Sequence, residues 1–202
     1  MQARTKTIFG TAIFSISWVV AVSCGLGVML NYENTPGPIG AVAQSWPGSR
    51  IHRAPGRATL VMLAHPHCPC SRASVGEIAQ IMAHAQGPVA AYVLFLKPEG
   101  SGADWEKTDL WQSAAAIPGV TALADGDGAE ARRFGVETSG HTLLFDPQGR
   151  LLFSGGITGS RGHSGDNAGR SAIVSLLNNQ PVARAQTSVF GCSLEDSKQM
   201  ID

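Results

Sequence analysis

Charged side chains are scarce in this chain. Asp, Glu, Lys and Arg make up 15% of the 202 residues, and 15 acids balance 15 bases. So sparse and even a charge excludes the basic footprint of a nucleic-acid binder. No internal repeat is evident, and the many glycines follow neither Walker nor dinucleotide-binding spacing. The length suits one domain of ordinary size with an added segment or two. Cysteine is limited to Cys24, Cys68, Cys70 and Cys192.

The longest gap in charge lies at the N-terminus, where Thr7 to Leu30 holds no ionisable carboxylate or amine. That stretch is long enough to cross a hydrocarbon core of about 30 Å at about 1.5 Å per residue. Arg4 and Lys6 precede it and Glu33 is the first acid after it, which predicts a cytoplasmic start and a remainder across the membrane. An uncleaved anchor over residues 1–30 is the leading reading, because a cleavable h-region is shorter. "AVAQ" at 41–44 and "AVSC" at 21–24 are the alternative processing sites. All three readings put the rest outside the cytoplasm, at a bacterial inner membrane with the domain in the periplasm or outside the cell.

Cys24 falls within the apolar run, so Cys68, Cys70 and Cys192 are left in an oxidising compartment. Three is odd, and one chain cannot pair them all. At least one thiol is therefore free, transient or metal-bound.

Residues 31–57 are rich in proline and glycine without apolar period, and are expected to be a tether. Alternating elements follow. "ATLVMLA" (58–64) and "PVAAYVLFLK" (88–97) are apolar runs of buried-strand type. Residues 69–85 place Val75, Ile78 and Met82 on one helical face. "ADWEKTDLWQSAAA" (103–116) reads as a helix, "VTALAD" (120–125) as a strand, and 128–135 as a brief helix closed by Gly135. "HTLLFD", "PQGR" and "LLFSGG" form a hairpin signature, and 167–179 reads as the last helix. The order βαβα(βα)ββα argues for an α/β fold, a mixed sheet covered on both faces, with residues 179–202 as a tail.

The chemistry concentrates in "LAHPHCPCSRAS" (63–74). Pro69 suits a first helical position, which makes Cys68 the N-cap residue beside unpaired amides and the positive end of the dipole. That environment favours thiolate, the nucleophile and the metal ligand. A disulfide from Cys68 to Cys70 would close a small, strained ring. His65 and His67 alternate at the end of the first strand and are candidates for tuning the thiolate or holding a metal. His52 and His84 are expected at the surface.

Strand, Cys-Pro-x, helix, then hairpin and last helix resembles the thioredoxin fold. The likeness is strongest to membrane-tethered thiol–disulfide proteins of the TlpA kind. "HPHCPCSRAS", "FGVETSGHTLLFD" and "SGGITGSRGHSGDNAGR" resemble, more narrowly, the bacterial thioredoxin-like proteins called RedB. The resemblance covers residues 58–178. It implies that Cys68 is the attacking thiol, with Cys70 or Cys192 resolving. Ser71 stands at the usual resolving position, and the alternative register would use His67 and Cys70. His141 stands where thioredoxins carry a cis-proline, which implies an imidazole close to Cys68 and Cys70.

The loop 155–167 should end on the same face, with Arg161 placed to stabilise a thiolate and Ser164 or Asp166 to cap the next helix. Cys192 and Phe190 lie on the tail, Phe190 as a candidate anchor. Thiol–disulfide exchange with protein thiols and disulfides, needing no cofactor, leads. The alternative is a Cu(I) or Zn protein using Cys68, Cys70, His67, His141 and Cys192. A peroxide-reducing variant lacks the expected Thr-x-x-Cys spacing, and a fixed Cys68–Cys70 disulfide is the bland reading.

Overall fold

A computed structural model of the chain describes residues 2–194. Met1 and residues 195–202 of the expected tail lie outside the described residues. Two compact units are present, the first ending at Thr35 and the second beginning at Pro36. The first is the helix α1 (Gln2–Asn34), whose residues Phe9–Asn34 are long and apolar enough to cross a membrane. Its side chains from Phe9 to Leu30, Phe14, Trp18 and Val28 among them, are exposed.

The second unit contains β1 (Ala58–Ala64), α2 (Cys70–His84), β2 (Val89–Lys97), α3 (Asp109–Ala115) and β3 (Val120–Gly126). It continues with α4 (Ala129–Phe134), β4 (His141–Phe145), β5 (Leu151–Gly155) and α5 (Ala168–Leu177). The sheet order is β3-β2-β1-β4-β5. β1 runs parallel to β2 and antiparallel to β4, so it is central. This explains its unbroken apolar run, since a strand covered on both faces has no solvent side. The strand order, the parallel first half and the antiparallel hairpin make the fold thioredoxin-like.

Side-chain alternation along the strands splits the core in two. Leu60 and Met62 of β1 face Val75, Ile78 and Ile81 of α2 and Ile173 and Leu177 of α5. Val61 and Leu63 face the opposite way, with Leu143, Phe145 and Phe134. Fully burying aliphatic and aromatic side chains of this size contributes roughly 1.5–3 kcal/mol each.

Three expectations are corrected. The tether is shorter than 31–57, because residues 36–51 pack within the second unit. Trp46 meets Phe134 and Phe145 edge-on at centroid distances of 5.3 and 5.1 Å, and Ile51 is buried. Backbone bonds from Ala43 N to Phe134 O (3.1 Å) and from Leu151 N to Gln44 O (3.0 Å) fix the path. The burial of one indole and one isoleucine outweighs the flexibility suggested by composition.

The helix expected over 103–116 is confined to Asp109–Ala115. Its first third is held as turns, with Lys97 Nζ bonded to Ala103 O and paired to Glu106 at 2.9 Å. The tail is also packed. Ser154 N donates to Ala185 O at 3.0 Å, which covers the β5 edge, and Val189 is fully buried. Val189 therefore anchors it; Phe190 is only half-buried.

Gly135 closes α4 with φ +69°, and a Cβ there would lie 1.9 Å from Ala41 O. Gly135→Ala should lower stability by more than about 1 kcal/mol, since both backbone strain and the clash oppose it. Urea unfolding of the full chain in detergent measures this; an unchanged midpoint would show that residues 36–51 do not dock on α4.

Candidate functional site

Cys68 ends the turn that leaves β1, and α2 starts two residues later at Cys70. Pro69 already has helical dihedrals (φ −63°, ψ −29°), and Ser71 N donates to Cys68 O at 3.1 Å. Pro69, not the expected Cys68, is therefore the N-cap residue of α2, and Cys68 lies one position before it. Its side chain is only 3% exposed.

A buried thiolate needs donors, and this one has them. In order of influence, the Cys68 sulfur is stabilised by the Cys192 thiol, the Ser71 hydroxyl and the backbone amides of Cys192 and Ser71. Burial opposes them but is outweighed, so the Cys68 thiol is held far below its ordinary range. The Cys192 thiol is driven up, first because it donates to Cys68 and then by burial. By geometry either sulfur could be the donor; the opposed shifts favour the anion on Cys68 and the proton on Cys192. Their sulfurs are 2.7 Å apart.

A serine relay orients the hydroxyl. His65 N donates to Ser139 Oγ at 2.7 Å, and Ser139 Oγ lies 2.7 Å from Ser71 Oγ. Ser71 spends its one proton on Cys68, so Ser139 is the donor between the two hydroxyls. Both serines are buried. Neither was singled out as a tuning residue from sequence, where Ser71 marked only a missing cysteine. The pattern carries no signal for Ser139, whose partners are long-range.

Cys70 is half-buried. Its thiol is raised by burial and then by the charge on Cys68, while Arg161 acts in the opposite direction. The Arg161 guanidinium thus reaches Cys70, and it also donates to Gly191 O. The loop that carries it is tied to α2, because Glu77 accepts from Gly165 N at 2.8 Å and from Arg170 at 2.7 Å. Asn167 caps α5, its side chain accepting from Arg170 N. This corrects the expectation for Ser164 or Asp166, and Asp166 is instead an exposed partner of Arg170.

The histidines are distributed elsewhere. His141 opens β4, pairs with Leu63 in the ladder and is fully buried. Its Nε2 lies 2.8 Å from Ser154 Oγ and its Nδ1 is buried without a partner. Burial alone lowers its pKa to about 4, with no thiol contributing. The expected imidazole at the cysteines is thus replaced by one turned to β5, because its alternation puts it on the face of Leu143 and Phe145.

His67 is exposed, with Nε2 3.1 Å from Trp105 O. His65 is buried, accepts from His67 N through Nδ1 at 3.1 Å and packs on Trp105 at 5.5 Å. Burial lowers its pKa, and the Cys68 charge partly offsets this. Among the described residues no group of three or more His, Cys, Asp or Glu is placed to hold a metal ion. His52 and His84 are exposed, as expected.

No family model matches this chain, and no curated protein does either. Solved structures do share its fold. A hypothetical protein from Sinorhizobium meliloti aligns with TM-score 0.59 and 18% identity, covering 81% of this chain and 97% of its own. An uncharacterized conserved protein from Geobacillus kaustophilus gives 0.58 and 18%, over 81% and 94%. A secreted Mycobacterium tuberculosis disulfide oxidoreductase gives 0.46 and 15%, over 60% and 83%, a likeness too loose to carry function.

Two outcomes test this geometry. His141 is neutral in the fold but takes a proton near 6.5 once unfolded, so the stability from its burial is complete above that pH. It is lost as pH falls from 6.5 toward 4, by roughly 3 kcal/mol. Urea midpoints between pH 7 and 4.5 should fall more steeply for the native chain than for His141→Asn; parallel profiles would refute the burial. Ser71→Ala removes one donor to an anion, and should move the midpoint of the pH profile of Cys68 alkylation by iodoacetamide upward by about one unit. An unchanged midpoint would remove Ser71 from the relay.

Proposed function

We infer that this chain is a membrane-tethered thiol–disulfide oxidoreductase acting on protein thiols and disulfides outside the cytoplasm. The observation that carries the reading is the Cys68 thiolate, buried and supplied with donors, with a second thiol 2.7 Å away. A depressed thiol pKa raises the fraction of nucleophile at neutral pH and also makes Cys68 a good leaving group. Both properties serve exchange; a structural disulfide would use neither.

The apolar helix α1 and the basic residues before it support a single-pass anchor in a bacterial inner membrane with the domain in the periplasm. The narrower resemblance to TlpA-like and RedB proteins agrees with that setting. No cofactor is needed, because the electrons travel in the sulfur–sulfur bond.

Cys68→Ser should abolish reduction of insulin disulfides by the full chain in detergent micelles with dithiothreitol. Reduction persisting at the native rate would remove Cys68 as the nucleophile.

A further inference from the structure

The resolving thiol remains to be assigned, since Cys70 and Cys192 both lie near Cys68. We propose that Cys192 resolves the mixed disulfide on Cys68, so that the exchanging pair joins α2 to the C-terminal segment rather than closing within Cys-Pro-Cys. The assignment rests on the exchange reading above and specifies its second half.

Several contacts hold Cys192 in place. Residues 192–194 run antiparallel to residues 137–139: Ser139 N donates to Cys192 O and Leu194 N to Glu137 O, both at 2.8 Å, and Thr138 bridges Ser193. Gly37 N donates to Val189 O at 2.9 Å and Val189 is fully buried. At Gly191 a Cβ would meet Ser139 O at 1.9 Å, so only glycine permits this approach. Arg161 grips the Gly191 carbonyl. Backbone pairing on one side and a guanidinium on the other thus aim the Cys192 sulfur at Cys68.

The two sulfurs at 2.7 Å need little movement to reach a bond of about 2.05 Å. Cys70 is placed differently. It sits in the first turn of α2 and interacts with both Cys68 and Arg161, but the 2.7 Å sulfur–sulfur contact is made by Cys192.

Exchange then runs in two displacements. The Cys68 thiolate attacks one sulfur of a client disulfide; the client bond breaks and its other sulfur leaves as thiolate. Cys192 gives up its proton to that thiolate and attacks the Cys68 sulfur. The Cys68–client bond breaks, the second client sulfur leaves and takes a proton from water. Two electrons pass to the client, and Cys68 and Cys192 end as a disulfide. The reverse sequence oxidises a client dithiol.

The test uses the full chain in detergent, in a Cys24→Ser background, equilibrated with glutathione buffers, acid-quenched, alkylated and mapped by mass spectrometry. The expected linkage is Cys68 to Cys192, in this chain and in the same chain carrying Cys70→Ser. With Cys192→Ser, glutathione should accumulate on Cys68 at least tenfold above the unmutated site. A Cys68–Cys70 linkage without the Cys192→Ser change, or glutathione released as fast from Cys192→Ser, would overturn the assignment. A Cys68–Cys192 linkage in a chain that reduces no insulin would support the pairing but overturn the exchange reading instead.

Discussion

A sulfur anion that is 3% exposed has almost no water to solvate it, so the protein must supply the hydrogen bonds that water would. The Cys192 thiol, 2.7 Å away, is foremost among the groups that hold the Cys68 charge, and Ser71 follows it. Much of the surrounding structure follows from that demand. Ser71 can direct its proton to sulfur because Ser139 satisfies its oxygen. Ser139 is in turn oriented by the amide of His65 and pinned to the tail through its own amide. Removing the tail would take away the strongest donor and expose the anion together.

The sheet explains why these pieces meet. β1 and β4 lie side by side at its centre, so the end of β1 and the residues before β4 share one edge of the molecule. The turn carrying His65 to Cys68 leaves from the first, and residues 137–140 arrive at the second. Gly140 N donates to Leu63 O at 2.7 Å, which draws the two together. The tail then needs only a short antiparallel register along 137–139 to bring Cys192 over Cys68.

Much of the fold was legible in the residues. The apolar runs at 58–64, 88–97, 120–125, 141–146 and 151–156 are strands in the structure to within a residue or two, and Gly135 closes its helix. These succeed because a buried strand or a left-handed turn imposes a local composition. The chain segments at 36–51 and 181–194 were legible only as irregular, since their order comes from Trp46, Ile51 and Val189 fitting gaps made by distant elements. The candidate site divides the same way. Cys68, Cys70 and Arg161 were found from the helix-start pattern and the hairpin return, whereas Ser139 had no local signal. His141 was placed at the right position but the wrong surroundings, because proximity in a fold does not fix which side of the strand a side chain takes.

The sequence by itself determined an apolar N-terminal helix, a thioredoxin-like order of strands and helices, and a cysteine at the start of α2. Each of these depends on neighbours within a few residues. Only the tertiary structure decided which thiol faces Cys68 and how its charge is held. Those depend on residues 71, 139 and 192, which are brought together by sheet order, by the burial of Val189 and by the absence of a side chain at Gly191.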